Sequence, residues 1–331
     1  MLTVSTPLKM GKSYLKAVKR KPITTKKSVR CSWESKRRIH SMDLDTFINL
    51  LLAGITLGTV YLMMAMGLTL VYGVTKVFNY AQGSFFSWGG YLAWYLSVGV
   101  LGWNYYLVIP ITLVVMFIAG MIFEKVIILP LRRFPGWDFT VIIVTLGCSL
   151  ALDNLILVIF GPLSKTIPHL MEGTLKIGKF VVAQHDVLML VIGILMFIIL
   201  QLFLSKTWIG LALRAVSQDN VGAKIVGLPL NTLYSVAFGI AGLLSAVAAI
   251  LLAPRTLLYP LVGWSTLLKA FVVIVLGGLG NIKGTVIAAF ALSIAEIFLS
   301  YFLGGIWAMP LFLAVLVVLL VFKPKGLFGS W

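Results

Sequence analysis

Three ionisable side chains, Asp153, Lys269 and Glu296, lie inside long apolar stretches of this 331-residue sequence. A charge inside a lipid bilayer is costly, so such residues mark either a polar path for a solute or a buried hydrogen-bonded pair. Glu296 is the closest of the three to the middle of its stretch, and Asp153 has Asn154 beside it. We expect structural pairing, which is the usual fate of such residues, and keep Glu296 as a candidate for a path.

A polar, basic segment from Lys206 to Asn231 separates two apolar stretches that are each long enough to cross a bilayer. It reads KTWIGLALRAVSQDNVGAKIVGLPLN, and small residues dominate its central part, Leu211 to Val226. The polar side chains of that part are Arg214, Gln218, Asp219 and Lys224. Gly227, followed by Pro229, predicts the end of a helix. We predict a helix here that contacts a partner protein, and an ordinary solvated loop helix is the alternative.

Two interruptions of the apolar stretches combine glycine with polar residues. The first reads VYGVTKVFNYAQGSFF and the second VLGGLGNIKG. Broken backbone at membrane depth is tolerated only where it is buried in protein or lines a wet cavity, which suits a solute path. The candidate path residues are Asn79, Gln82, Gly83, Gly278, Gly280, Asn281 and Glu296. The alternative is an interfacial turn, which we favour for the second interruption because Lys283 marks a cytoplasmic end.

The composition, 60% hydrophobic and 11% charged with a mean hydropathy of +1.04, indicates a polytopic membrane protein. A helix needs about 20 apolar residues to cross the hydrocarbon core. We therefore predict an all-α fold with nine crossings: Thr46 to Thr75, Gly83 to Val98, Tyr105 to Leu129, Phe139 to Phe160, Val187 to Ser205, Leu233 to Ala253, Trp264 to Gly280, Gly284 to Leu303, and Ile306 to Phe322. The first stretch is long and rich in glycine, which favours one span plus a re-entrant piece and puts the count between eight and ten.

Lysine and arginine in the short connections predict the orientation. One set of alternate connections carries nine of them: Lys76, Arg132, Arg133, Lys206, Arg214, Lys224, Lys283, Lys323 and Lys325. The other set carries four: Lys165, Lys176, Lys179 and Arg255. Because the richer set is expected inside the cell, the polar segment and the C-terminus are predicted to be cytoplasmic. The expected location is the cytoplasmic membrane, with the chain crossing the lipid bilayer several times.

Residues 1–41 carry twelve Lys and Arg against the single acidic residue Glu34, and they account for +11 of the net charge of +17. The positive-inside rule accommodates the remaining +6, so no nucleic-acid partner is expected. The stretch lacks the apolar run of a signal peptide and is predicted to be disordered. We interpret it as an extension from a misassigned start, because Met42 opens a natural membrane-protein beginning. A polybasic membrane-surface arm and a transit peptide are the alternatives.

Motifs for catalysis and cofactor binding are missing from the sequence. It contains no G-x-x-x-x-G-K-[ST] run for ATP, no H-E-x-x-H and no G-x-S-x-G. Cys31 and Cys148 suggest neither a disulfide framework nor a metal site, and the three histidines have no ligand spacing. We therefore predict no catalytic residue, no bound cofactor and no metal site, and we do not expect an enzyme.

From Met42 to Phe328, five segments in order resemble the permease of branched-chain amino acid ABC importers, a family branch that includes urea and amide permeases. They are INLLLAGITLGTVYLMMAMGLTLVYGV, NYAQGSFFSWGGY, RAVSQDNVGAKIVGLPLN, VLGGLGNIKGTVIAA and FKPKGLFG. The resemblance implies a transmembrane subunit that translocates branched-chain amino acids beside a second, related permease. It also implies two cytoplasmic ATPase subunits that use ATP, and an extracytoplasmic solute-binding protein.

On this resemblance, Leu211 to Gly227 corresponds to the segment that docks into an ATPase cleft. Its coupling residues are Arg214, Ala215, Gln218, Asp219 and Gly227. Closure of the ATPase pair is expected to move this segment and to open the permease to one side or the other. The domains are then a basic extension, 1–41, and a permease domain, 42–331, with its coupling segment at 206–231.

The family pattern usually has a histidine where Gln82 stands, which leaves branched-chain amino acids, urea and short amides open as solutes. An ion-coupled secondary transporter that uses Asp153 and Glu296 with a membrane gradient is an alternative from another class. A passive channel lined by the break from Gly277 to Gly284 is a third.

Overall fold

The computed structural model describes residues 44–99, 102, 105–167, 173–177, 180–323 and 326. The basic stretch 1–41, with its predicted disorder and start site, lies outside the described residues. Helices joined by short connections make up most of the described part. It also contains one short antiparallel hairpin, in which β1 (Thr174–Ile177) pairs with β2 (Phe180–Ala183), and an isolated bridge between Lys165 and Leu258. The predicted helical class is therefore confirmed, with the hairpin as a small addition.

Each of the nine predicted apolar segments contains a helix. The helices are α1 (Leu44–Thr75), α2 (Gln82–Trp94, continued by a π-helical turn, Tyr95–Gly99), α3 (Tyr105–Phe123, continued by a π-helical turn, Glu124–Ile128, and a last α-turn, Leu129–Leu131), α4 (Trp137–Phe160), α5 (Gln184–Lys206), α6 (Trp208–Gln218), α7 (Asn220–Ile225), α8 (Leu230–Leu252), α9 (Val262–Gly277), α10 (Ile282–Leu303) and α11 (Ala308–Phe322). A 3₁₀ turn, Gly305–Trp307, precedes α11.

Within the described residues, six helices are long and apolar enough to cross a bilayer by length and composition. They are Leu44–Thr75, Leu107–Leu131, Trp137–Phe160, Gln184–Lys206, Leu230–Leu252 and Ile282–Leu303. Val262–Gly277 and Gly305–Val315 are shorter apolar helices. The structure thus supports a polytopic helical membrane protein without confirming the count of nine crossings.

Helix α1 is one continuous helix of 32 residues, so the predicted division into a span and a re-entrant piece is wrong. Its glycines serve helix packing instead. A Cβ atom on Gly54 would lie 2.9 Å from Ile294 Cα, and one on Gly58 would lie 2.7 Å from Ser293 Oγ. Small residues let helix backbones approach closely in lipid, and here they allow α10 to lie directly against α1.

Helix α8 is the central helix, with 83% of its most apolar part buried. Small residues again allow the close packing: a Cβ on Gly242 would lie 2.6 Å from the Met116 carbonyl oxygen of α3. On α2, a Cβ on Gly89 would lie 2.7 Å from Ala246 Cα. Helices α2 and α3 therefore pack almost backbone to backbone on α8. This close packing fixes the position of the polar side chains on the surface of α8.

Helices α4 and α5 are much less covered, since only 22% of the most apolar part of each is buried. Val158 on α4, for example, is 82% exposed. Extended apolar surface of this kind is typical of a face that meets a membrane. The two helices therefore present an extended apolar outer face of the bundle.

Candidate functional site

The polar segment between α5 and α8 forms two short helices, α6 and α7, which separate at Asp219. The Asp219 backbone is extended (φ −146°, ψ 106°), and its carboxylate Oδ1 accepts a hydrogen bond from the Val221 backbone N–H at 2.9 Å. The prediction of one helix from Leu211 to Val226 is therefore wrong at this residue. The physical reason is that a carboxylate that caps the next helix competes with continuation of the first.

Gly227 ends α7, as predicted. Its φ is +80°, and its N–H donates to the Lys224 carbonyl at 3.1 Å. The Leu228 N–H donates to the Ala223 carbonyl, also at 3.1 Å. These two bonds form a Schellman motif, in which the left-handed position favours glycine. Gly227 thus specifies the chain reversal from α7 into α8.

Three hydrogen bonds attach the α6–α7 pair to the bundle. The Lys76 ammonium group, directly after α1, donates to the Ser217 carbonyl at 2.7 Å, and partial burial lowers the pKa of Lys76. The Asn220 amide donates to the Val74 carbonyl at 3.2 Å and accepts from the Tyr234 hydroxyl of α8 at 3.3 Å. A displacement of α6 and α7 therefore acts on the end of α1 and on the start of α8.

The α6–α7 pair has a buried face and an exposed face. Its buried residues are Gly210, Ala212, Leu213, Val216 and Ala223. Of the predicted coupling residues, four are exposed: Ala215, Gln218, Asp219 and Gly227. Arg214 is half-buried and lines a small cavity of about 30 Å³ together with Gly73 and Gly280. Most of the predicted set is thus available to a partner.

An exposed apolar patch on α7 and the residue after it was not predicted from the sequence. Val221, Ile225 and Val226 are 68%, 81% and 80% exposed, beside the charged Asp219 and Lys224. The spacing of Val221 and Ile225 places them on one helical face, which was the available signal. Exposed apolar residues with charged neighbours are typical of a protein-contact surface.

A buried ion pair that was not predicted from the sequence supports the same end of the bundle. The Glu124 side chain is fully buried and accepts hydrogen bonds from the Arg132 guanidinium group and the Ser235 hydroxyl of α8. Arg132 also lies over the Tyr234 ring, 4.2 Å from its centroid. Since Tyr234 donates to Asn220, this ion pair is connected to α7 through one aromatic side chain.

The interruption between α1 and α2 is buried inside the bundle. Asn79 and Gln82 are 2% and 1% exposed. Gln82 begins α2, and its amide nitrogen donates to the Ala241 carbonyl at 2.7 Å and to the Ser245 hydroxyl, both on α8. This broken backbone is therefore buried in protein, as the predicted tolerance at membrane depth requires. The Gln82 amide is held by α8, whereas the Asn79 side-chain oxygen accepts locally from the Ala81 N–H at 3.1 Å.

The next residue, Gly83, lies at the closest backbone approach between α2 and α9. A Cβ atom on Gly263 would lie 1.9 Å from the Gly83 carbonyl oxygen. The Gly263 N–H donates to the Ser87 hydroxyl at 3.1 Å. The first turns of these two helices are thus locked together with no room for a side chain.

The interruption between α9 and α10 is a turn beside α6. Gly278 and Gly280 have φ of +92° and +80°. Asn281 caps α10, because its side-chain oxygen accepts a hydrogen bond from the Gly284 N–H at 3.2 Å. The break is therefore a turn between two helix ends, and the choice between an interfacial turn and a path element stays a prediction.

The ionisable residues of the apolar stretches are hydrogen-bonded to partners. Lys269 Nζ lies 2.6 Å from Glu296 Oε1, and the Tyr61 hydroxyl donates to Glu296 Oε2 at 2.6 Å while it accepts from Lys269 at 2.9 Å. Asp153 Oδ2 accepts from the Trp264 indole N–H at 2.8 Å. The expectation of structural pairing is confirmed for these groups.

The Tyr61–Lys269–Glu296 cluster also lines a groove of about 510 Å³ between α1, α9 and α10. The groove reaches Ser164 and Thr256, in the connections that carry Lys165 and Arg255. It therefore lies toward the end of the bundle opposite to α6 and α7. We refer to it as the charged groove.

The predicted path residues thus lie in three places. The first group, Asn79, Gln82 and Gly83, is buried between α1, α2 and α8. The second group, Gly278, Gly280 and Asn281, forms the turn beside α6. Glu296 lines the charged groove. Among the described residues, no group of three or more His, Cys, Asp or Glu is placed to hold a metal ion.

Buried broken backbone between long apolar helices is typical of multi-pass membrane transport proteins. A family model described as branched-chain amino acid transport system, permease component, matches residues 50–322. The chain belongs to this family. It is a transport subunit of the cytoplasmic membrane, and the resemblance seen in its motifs is confirmed.

Similar proteins agree with the family model. The high-affinity branched-chain amino acid transport system permease protein BraD of Pseudomonas aeruginosa is 29% identical over 297 residues, which cover 86% of this chain and 96% of BraD. LivH of Escherichia coli, described in the same words, is 26% identical over 296 residues, with the same coverage. A probable branched-chain amino acid transport permease protein LivH of Methanocaldococcus jannaschii is 28% identical over 284 residues, covering 81% of this chain and 88% of that protein.

Among solved structures, PsaBC from Streptococcus pneumoniae in complex with Fab matches with a TM-score of 0.44 and 15% identity. The match covers 84% of this chain and 91% of that chain. This similarity is too distant to assign any property to the present chain.

Proposed function

We propose that this chain forms the membrane path of an ATP-driven importer of branched-chain amino acids. The observation that carries the proposal is the family match over residues 50–322, together with relatives whose names describe branched-chain amino acid permeases. Family membership favours this function over the ion-coupled transporter and the passive channel. Urea and short amides are the competing solutes within the family branch.

In this proposal, the exposed side of α6 and α7 docks into a cytoplasmic ATPase subunit. The coupling residues are those predicted from the sequence: Arg214, Ala215, Gln218, Asp219 and Gly227. To these we add Val221, Ile225 and Val226, because apolar side chains that are more than two-thirds exposed in the isolated chain gain from being covered by a partner. Asp219 and Lys224 beside them supply charges that orient such a contact.

Force is transmitted through the bonds that hold α6 and α7. Ser217 and Asn220 are bonded to the end of α1, and Asn220 is bonded to Tyr234 of α8. Closure of the ATPase pair therefore shifts α1 and α8 together. Alternating access follows if that shift opens the bundle to one side while it closes the other.

The solute path is proposed to follow one face of α1 next to α10. Tyr61 and Glu296 line its outer end, and Thr69, bonded to Thr285 at 3.1 Å, closes its middle. Gly280 and the turn that it shares with Gly278 and Asn281 border its cytoplasmic end. Asn79, Gln82 and Gly83 lie on another side of α1 and support the path from behind.

The complete importer is proposed to contain two cytoplasmic ATPase subunits, which use ATP, a second related permease subunit and an extracytoplasmic solute-binding protein. This chain hydrolyses nothing itself. Nine crossings are proposed: the six long helices, the two shorter apolar helices, and α2 with its π-helical continuation to Gly99. The lysine and arginine distribution then places α6 and α7 in the cytoplasm.

The test is affinity purification of the tagged chain from detergent with its co-expressed partners, followed by mass spectrometry and assays of ATP hydrolysis and uptake. We expect ATPase subunits to co-purify. Arg214→Glu and Asp219→Lys should reduce uptake while the chain stays inserted and abundant. Arg133→Glu is the matched control, because Arg133 is an exposed arginine of the same predicted side. Full uptake by both coupling variants would refute the coupling role, and vanadate-insensitive uptake abolished by ionophores would favour the ion-coupled transporter.

A further inference from the structure

We propose that the charged groove is a binding site for the zwitterionic head of an α-amino acid, with Lys269 facing its carboxylate and Glu296 facing its ammonium group. This inference rests on the proposed importer function and adds the site that binds the charged head of the solute.

The hydrogen-bonding capacity of the cluster is incompletely used. An ammonium group has three N–H donors, and among the described residues Lys269 directs two of them, one to Glu296 and one to Tyr61. From the described residues, each Glu296 oxygen accepts a single hydrogen bond, although a carboxylate oxygen can accept two. One donor and two acceptor positions therefore remain for a ligand, which matches a carboxylate beside an ammonium group.

Both charged groups can be reached from the groove. The Lys269 and Glu296 side chains are 20% and 8% exposed, and both line the cavity of about 510 Å³. This volume falls within the roughly 300–1,000 Å³ of small-molecule sites. The ion pair of Arg132 and Glu124, whose side chains are 12% and 0% exposed, is more covered. The groove pair is thus the more accessible of the two to a ligand.

The rest of the groove suits an aliphatic amino acid. Its apolar wall is formed by Leu57, Leu252, Leu257 and Val262. A branched aliphatic side chain packed against this wall would bury apolar area, while the head group stays at the ion pair. A neutral amide or urea could form hydrogen bonds there but could not satisfy both charges, so the groove discriminates against it.

The experiment measures equilibrium binding of radiolabelled leucine to the purified complex of this chain with its partner subunits, with no solute-binding protein added. We expect saturable binding that valine displaces. Leucinamide, which lacks the carboxylate, 4-methylpentanoate, which lacks the ammonium group, and acetamide, which lacks both charges, should displace leucine at least tenfold less effectively.

The informative variant is the double replacement Lys269→Met with Glu296→Met, because exchange of a buried ion pair for apolar residues is often tolerated by the fold. We expect it to weaken leucine binding at least tenfold while co-purification of the partner subunits is unchanged. Lys125→Met is the matched control: it also removes a lysine, but from an exposed position outside the groove, and it should bind leucine like the wild type.

Three results would overturn the proposed binding site. They are no leucine binding to the wild-type complex, wild-type leucine affinity in the double variant, or displacement of leucine by acetamide as effectively as by valine. Failure of the importer function gives a different pattern. In that case the chain purifies without ATPase subunits, while leucine still binds to it and the double variant still loses this binding.

Discussion

Replacing Arg132 with methionine should leave the Glu124 carboxylate buried with the neutral Ser235 hydroxyl as its remaining side-chain partner. Glu124 is 0% exposed, so water cannot replace the guanidinium group without local opening. Removal of one partner of a buried ion pair costs about 3–5 kcal/mol, whereas replacement of both partners by apolar residues is often neutral. We therefore expect Arg132→Met to lower the free energy of unfolding by about 3–5 kcal/mol, and Glu124→Met in the same chain to restore most of it.

The assay is unfolding of the purified chain in mixed micelles by titration with a denaturing detergent, followed by circular dichroism. Wild type, both single variants and the double variant form a thermodynamic cycle that isolates the pair's interaction energy. Arg133→Met is the control, because Arg133 is exposed and should unfold like the wild type. Wild-type stability of Arg132→Met would contradict the expected cost of the unpaired carboxylate, and so would a double variant in which the two single losses simply add.

Three further predictions concern helix packing and helix ends. Gly263→Ala places a Cβ 1.9 Å from the Gly83 carbonyl oxygen and should abolish the yield of folded protein in detergent. Gly147→Ala is the control and should retain that yield, because no described heavy atom outside the adjacent helix backbone lies within 4 Å of the added Cβ. Asp219→Ala should speed amide hydrogen exchange in α7 roughly fivefold, because loss of a helix cap costs about 1 kcal/mol. Asp219→Ser keeps a capping oxygen and should preserve the slow exchange of the wild type. Equal exchange rates in the two variants would count against capping by Asp219. Gly227→Ala, at φ +80°, should cost about 1–2 kcal/mol of unfolding free energy in the same titration, and an unchanged midpoint would contradict this.

The helical architecture and the pairing of buried charges could be predicted because each depends on local composition. Apolar stretches of bilayer length form helices in lipid whatever their neighbours are. A charge such as Glu296 in such a stretch needs a partner, and Lys269 was one of few available. The end of α7 was predictable for the same reason, since Gly227 and Pro229 determine the backbone there without help from other elements.

Features that depend on distant elements could not be predicted. Whether the glycines of α1 break the helix or serve as a packing surface depends on α10, which lies more than 200 positions later in the chain. The break at Asp219 depends on whether its carboxylate accepts a hydrogen bond from the Val221 N–H. That hydrogen bond and continuation of the helix are alternatives of similar free energy. The groove exists only because α1, α9 and α10 leave space beside Lys269.

The long separation between Gln82 and its partners has a consequence for how the chain is made. Gln82 bonds to residues 159 and 163 positions later, and Tyr61 bonds to Glu296, 235 positions later. An unsatisfied polar group in hydrocarbon costs several kcal/mol, so the first two helices leave the ribosome in an unfavourable state. They reach their native arrangement only after α8 and α10 have been synthesised. A truncated chain that ends before α8 therefore leaves the Tyr61 hydroxyl and the Gln82 amide without these partners.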